Sequence, residues 1–163
     1  MTSPTLRQRL LLATLAALPA GAIASPLMQA GGWEMKLAIS ARETAASPYK
    51  PMSENTTRVC LSKEFLAKDP YLTPGIDRDK MEKKGAKCTI SDTKRTDSTA
   101  SWKMSCTLPD GNSADMFINN TVSAKTLRSN IDQVIQKDGQ ALQMKIGLKA
   151  NHVGACTADM MSM

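Results

Sequence analysis

The sequence is poor in aromatic residues and in histidine. Of its 163 residues, two are tryptophan, two are tyrosine, two are phenylalanine and one is histidine. Proteins that bind nucleic acids commonly combine a clustered basic surface with aromatic side chains that stack on bases. Here the aromatic residues are few, and the lysines are spread along the chain and interleaved with acidic residues. The composition therefore argues against a nucleic-acid partner.

Sequence motifs that mark catalysis are scarce. His152 is the only histidine, and an acid–base site built on it would need a nucleophile and an orienting carboxylate that no neighbouring motif supplies. No serine lies in a G-x-S-x-G nucleophile elbow. We therefore expect a protein that is not an enzyme, with no cofactor and no catalytic residue. A hydrolase-type enzyme is the less favoured alternative.

The cysteines lack the spacing of a zinc or a redox site. Successive cysteines are 28, 18 and 50 residues apart, so none form a C-x2-4-C hook. The C-x-x-C pair of a redox-active dithiol is missing for the same reason. The four cysteines are better explained as two disulfides.

The N-terminus has the three regions of an export signal. Two arginines precede an apolar run, Leu10–Leu18, and small residues including Ala22 and Ala24 follow it. The run is well short of the roughly 20 residues that cross a bilayer, so a retained membrane span is disfavoured. We expect cleavage before Ser25, which assigns 1–24 to a signal peptide and the mature protein to the periplasm or the extracellular space.

An exported chain with an even number of cysteines normally pairs them, because its compartment is oxidising. Three pairings are possible. The segment between Cys88 and Cys106 has a turn-like centre at 96–99, so a hairpin folded there places the two cysteines opposite each other. We therefore predict a Cys88–Cys106 disulfide and, by elimination, a Cys60–Cys156 disulfide.

Alternating apolar residues predict strands on both sides of a proline-containing loop. The first strand covers 33–39 and the second covers 57–61, and they are expected to pair antiparallel. A short helix over Lys63–Lys68 follows, with Ser62 as its N-cap and Asp69-Pro70 at its end.

The second half of the chain reads as a meander of strands. Strands are expected to begin at Cys88 and to cover 102–106, 114–121 and 142–148. The segment 123–135 fits a helix face and a strand almost equally, but the Asp-Gly turn that follows it favours a strand. Together these segments predict a mainly β fold. It is an antiparallel meander of about seven strands with one short helix, forming a half-barrel or open barrel.

Five short motifs together resemble one family. They are Gly31–Glu34, Val59–Glu64, Lys87–Ile90, Trp102–Cys106 and His152–Cys156. The set is similar to the small exported proteobacterial proteins of the domain of unknown function 3617 family, over nearly all of the chain after the signal. The resemblance implies an exported, disulfide-bonded β protein and brings no activity, cofactor or catalytic residue.

The chain after the signal is short enough for one domain. We assign 25–30 to a short lead, 31–156 to the disulfide-stapled β domain and 157–163 to a flexible, methionine-rich tail. No membrane span is expected to remain after cleavage.

Two interpretations of the apolar strand residues compete. In the preferred one, a curved sheet accepts an apolar, lipid-like ligand or a segment of an envelope partner. The residues expected to line that site are Trp33, Met35, Trp102 and Met144. In the alternative, the same side chains fill a closed core.

Methionine is the one compositional excess, with eleven in the chain. Thioether sulfur is a soft ligand that suits Cu(I). A copper-binding periplasmic protein is therefore a further alternative, and its candidate ligands are His152, Met160, Met161 and Met163. Core packing of the methionines at strand positions, together with a frayed tail, explains the excess more simply.

Overall fold

The computed structural model describes residues 27–72 and 78–163, so the predicted signal peptide lies outside the described residues. The strands are β1 (Gly31–Arg42), β2 (Lys50–Leu61), β3 (Lys87–Arg95), β4 (Thr99–Thr107), β5 (Ser113–Val122), β6 (Thr126–Lys137), β7 (Gln140–Gly154) and β8 (Met161–Ser162). The helices are α1 (Lys63–Lys68) and α2 (Arg78–Lys83).

All eight strands belong to one sheet, in the order β3-β4-β5-β6-β7-β1-β2-β8. Every pairing is antiparallel except that of β8, which runs parallel to β2. In the described ranges β3 forms one edge and β8 the other, so the sheet is open. The predicted mainly β, antiparallel fold is therefore confirmed. The structure adds a two-residue eighth strand and a second short helix to the seven strands and single helix expected.

The first strand occupies a central position in the sheet. β1 pairs with β2 across the 43–49 loop, as predicted, and its other side pairs with β7. Trp33 is thereby placed between Val59 of β2 and His152 of β7. The alternating apolar residues of β1 all face one side, which we call the inner face of the sheet.

The segment whose periodicity was ambiguous forms strand β6. Asp138 and Gly139 both have positive φ, 51° and 76°, which is the backbone of a tight hairpin turn. Lys137 consequently pairs with Gln140, and β6 and β7 continue as antiparallel neighbours. A tight turn of this kind requires strands on both sides, which confirms the strand interpretation.

The two disulfides join the predicted cysteines. Cys88 and Cys106 are directly opposed on β3 and β4 and are bonded to each other. Cys60 at the end of β2 is bonded to Cys156, 96 residues later. The hairpin argument for the first pair was sufficient because β3 and β4 are consecutive strands.

The inner face is covered by the described parts of the segment between β2 and β3, residues 62–72 and 78–86, which we call the crossover. It carries both helices. One buried cluster joins β1, β2 and α1; its members include Trp33, Leu61, Leu66, Leu72 and Leu127. A second buried cluster lies under β3–β6; its members include Trp102, Met104, Cys106, Ile118 and Ile131. Tyr71 packs against both clusters, so the crossover connects them.

The C-terminal segment differs from the flexible tail expected for 157–163. Met161 and Ser162 pair with Val59 and Cys60 of β2, and the Met163 N–H donates a hydrogen bond to the Cys60 carbonyl at 2.9 Å. Met160 is buried against Gly32. The nearby Cys60–Cys156 disulfide explains the difference, because it holds the segment beside the edge of β2.

Candidate functional site

A cavity of about 630 Å³ lies between the inner face of the sheet and the crossover. Its floor consists of alternating residues of three central strands: Met35, Leu37 and Ile39 of β1, Ile146 and Leu148 of β7, and Ile131 of β6. These positions are register neighbours, since Leu37 pairs with Leu148 and Ile39 with Ile146. The floor is therefore a continuous apolar surface.

The cavity extends across five neighbouring strands of the sheet, β5, β6, β7, β1 and β2. Val59 of β2 and Met116 of β5 line opposite sides of it, although three strands separate β2 from β5 in the sheet. In a flat sheet these strands would be about 19 Å apart, given about 4.8 Å per strand. Phe65, Leu72 and Met81 of the crossover complete the lining.

The polar side chains that the described residues contribute to the lining are few and uncharged. Asn55 and Thr57 of β2 and Gln133 of β6 contribute them. Asn55 and Thr57 are exposed, whereas Val59, the next residue along that face, is buried. The cavity is therefore open to solvent beside β2, and polar side chains lie at this opening.

Four methionines take part in the lining. They are Met35 of β1, Met81 of α2, Met116 of β5 and Met163 at the C-terminal end. The methionine side chain is unbranched and polarisable, so it adapts to irregular apolar partners. The methionine excess seen in the sequence is thus concentrated in part around one cavity.

The residues expected to bind a ligand occupy different environments. Met35 lines the cavity. Trp33 is fully buried in the first cluster, and its indole N–H donates to the Gln29 carbonyl at 3.0 Å. Trp102 is buried in the second cluster. Met144 is half-buried and lies outside the lining. The structure brings one of the four to the cavity, and their role in binding stays a prediction.

Several lining residues were missed by the sequence interpretation. Leu37, Ile39, Ile146 and Leu148 carry the same alternation as Met35, so the signal that identifies them was present. The crossover residues have no periodic signal. Their contact with the sheet depends on the path of an irregular segment.

The four candidate copper ligands lie in four different environments. An ideal Cβ on Gly31 would lie 2.7 Å from His152 Nε2, whereas one on Gly32 would lie 2.8 Å from Met160 Sδ. Consecutive strand residues project to opposite faces, so His152 and Met160 lie on opposite sides of β1. Met161 is 63% exposed, and Met163 lies at the cavity.

No cluster of histidine, cysteine and carboxylate side chains suited to a metal ion occurs within residues 27–72 and 78–163. Likewise, none of the helices in these ranges has the length and hydropathy required to span a membrane.

The outer face of the sheet carries exposed ion pairs. Lys36 and Glu54 are 2.7 Å apart, and Lys103 and Asp92 are 2.8 Å apart. The hydrogen bond and charge of Lys103 lower the pKa of the Asp92 carboxyl, and Asp92 raises the pKa of Lys103 in return. Such exposed pairs contribute little to stability. The outer face is therefore a solvated, charge-mixed surface, in contrast to the apolar inner face.

Comparison with known proteins identifies a family without an assigned activity. A family model described as "Protein of unknown function (DUF3617)" matches residues 28–156. Neither a curated protein nor a solved structure shows significant similarity to the chain. The matched region contains both disulfides and β1 to β7. The chain therefore belongs to the DUF3617 family, as its cysteine and tryptophan motifs suggested.

Proposed function

We propose that this protein is an exported, non-enzymatic binding protein that holds an apolar ligand in the cavity between its sheet and its crossover. The observation that carries the proposal is the cavity itself, about 630 Å³ in volume and lined mostly by apolar side chains. Small-molecule sites typically have volumes of about 300–1,000 Å³, an apolar lining and a few polar groups. Asn55, Thr57 and Gln133 supply those polar groups.

Two features support the remaining parts of the proposal. The signal-like N-terminus and the two disulfides fit an oxidising compartment outside the cytoplasm. Among the residues that the structure describes, the lining includes no charged side chain, histidine or serine, and these are the groups that most acid–base and nucleophilic mechanisms use. Binding is therefore favoured over catalysis at this cavity.

Filling the cavity tests the proposal. We expect N-phenyl-1-naphthylamine, a dye that fluoresces in apolar surroundings, to bind the wild-type protein saturably with one site per chain. Leu37→Trp places an indole on the cavity floor and should weaken dye binding at least about tenfold, which corresponds to a loss of about 1.4 kcal/mol. Ala38→Trp, the next residue on the exposed opposite face, should leave binding unchanged.

The result that would overturn the proposal is equal dye binding by the two variants or no saturable binding by the wild type. Circular dichroism of both variants provides the folding control. Native mass spectrometry of protein extracted from its own envelope then identifies the ligand. A copurified lipid-like mass supports the apolar ligand, whereas a second polypeptide in the complex would assign the cavity to a protein partner.

A further inference from the structure

Two buried polar side chains lie next to each other on the inner face of the sheet. Asn120 of β5 and Ser129 of β6 are direct register partners, and their exposed fractions are 0% and 1%. Within the described part of the chain, Asn120 Oδ1 and Ser129 Oγ are buried without a hydrogen-bond partner. Buried polar atoms are nearly always paired, so two adjacent unpaired ones require an explanation.

The orientation of the Asn120 amide is determined by the crossover. Its nitrogen donates to the Tyr71 carbonyl at 2.9 Å and approaches the Leu72 carbonyl at 3.4 Å. The nitrogen therefore points at the crossover, and Oδ1 remains as a pure acceptor. The Ser129 hydroxyl is able both to donate and to accept.

The pair lies directly behind the cavity lining. Leu148 is the register partner of Ser129 on β7, and Ile131 is the next residue of β6 on the same face. Leu72, whose carbonyl accepts a hydrogen bond from the Asn120 amide at 3.4 Å, belongs to the crossover. All three of these apolar residues line the cavity. Because Asn120 and Ser129 are themselves outside the lining, contact with a ligand requires a change of rotamer at the Leu72 or Leu148 side chain.

We propose that this inner end of the cavity receives a hydroxyl group of an otherwise apolar ligand, which makes the ligand class an aliphatic or polycyclic alcohol. This inference rests on the proposed apolar-ligand function and specifies its chemistry. A ligand hydroxyl donates to Asn120 Oδ1 and accepts from the Ser129 hydroxyl, so both atoms are paired at once. An ether or ketone oxygen accepts only, and would leave Asn120 Oδ1 unpaired.

The test compares decan-1-ol with its methyl ether as competitors of N-phenyl-1-naphthylamine on the full chain. Although the ether is the more apolar molecule, decan-1-ol should compete at about fivefold lower concentration with the wild type, as expected for one satisfied buried hydrogen bond. Ser129→Ala should raise the competition constants of both the alcohol and the ether about fivefold, because both oxygens accept from the Ser129 hydroxyl. The preference for the alcohol should remain, because Asn120 Oδ1 still accepts from the alcohol alone. Ser105→Ala, an exposed serine of β4, should change neither constant.

A stability measurement separates recognition from a structural role. Without ligand, Ser129→Ala should have an unchanged or higher Tm, because it removes an unpaired hydroxyl from the interior. A lower Tm of Ser129→Ala would assign the hydroxyl a structural role and overturn the inference, and so would competition constants equal to those of the wild type. Equal competition by alcohol and ether in the wild type would overturn it as well, while leaving apolar binding intact. Failure of the dye to bind the wild type would overturn both proposals.

Discussion

Close contact around Gly32 shows how single residues define the packing between β1 and the C-terminal segment. An ideal Cβ at this position would lie 2.8 Å from the Ala155 carbonyl oxygen and 2.8 Å from Met160 Sδ. The methionine tip is flexible, but the carbonyl belongs to the backbone beside the Cys60–Cys156 disulfide. Glycine is therefore required here for space, and Trp33, the next residue, is buried without any exposed surface.

We predict that Gly32→Ala lowers the free energy of unfolding by about 1–3 kcal/mol, the usual effect of overpacking a well-packed site. The matched control is Gly147→Ala in β7, where an added Cβ meets nothing within 4 Å. That change should be neutral or stabilising by up to about 1 kcal/mol, because it restricts the unfolded chain. Urea unfolding of both variants provides the measurement, and equal destabilisation would contradict the space argument.

At the scale of secondary-structure elements, the crossover forms the cavity by covering the inner face of the sheet. Its first helix, α1, begins where β2 ends, and the Ser62 hydroxyl accepts a hydrogen bond from the Phe65 N–H at 3.1 Å. Phe65 lines the cavity and Leu66 is buried in the first cluster. A six-residue helix is too short to be stable by itself, so this cap and the burial of Leu66 hold it in place.

Removal of the cap should loosen the crossover. We predict that Ser62→Ala lowers the free energy of unfolding by about 1 kcal/mol, as is typical for loss of an N-cap. It should also speed amide hydrogen exchange at Phe65 and Leu66. Ser62→Asp is the control, because aspartate caps equally well and should preserve both properties. If Ser62→Ala leaves exchange at these amides unchanged, the cap does not stabilise α1.

On the scale of the whole molecule, the sheet and the disulfides join segments that are distant in sequence. β1 pairs with β7, the last long strand, although more than 100 residues separate Leu37 from its partner Leu148. The Cys60–Cys156 disulfide closes a loop with a sequence separation of 96, and the Cys88–Cys106 disulfide closes one of 18. The two bridges therefore constrain the unfolded chain to different extents.

Removal of the Cys60–Cys156 disulfide should destabilise the protein more than removal of the Cys88–Cys106 disulfide. From loop length alone, the Cys60→Ala, Cys156→Ala double variant is expected to lose about 4.7 kcal/mol and the Cys88→Ala, Cys106→Ala double variant about 3.2 kcal/mol. Guanidinium unfolding of the two purified variants measures the difference. The same order of stability should appear in their Tm values. A larger loss for the short bridge would show that local packing of Cys88 and Cys106 outweighs chain entropy.

The long strands and the hairpins at 96–99 and Asp138-Gly139 followed from local patterns of residues. Alternation at 33–39 and 142–148, the Asp138-Gly139 turn, and the midpoint between Cys88 and Cys106 are all encoded within a few residues. These patterns depend on the two-residue period of a strand and on tight-turn geometry, which are local properties. They were sufficient for the fold class, the strand character of β6 and the disulfide pairing.

The cavity, in contrast, was decided by tertiary structure. Alternation shows that Met35 and Trp33 share a face. It does not show that Met35 lines the cavity while Trp33 is buried in the same cluster as Leu61. That difference depends on the tertiary arrangement of the sheet and the crossover, in which Phe65 and Met116 line the same cavity. Such contacts between residues distant in sequence leave no periodic signal, because they arise only when the whole sheet has formed.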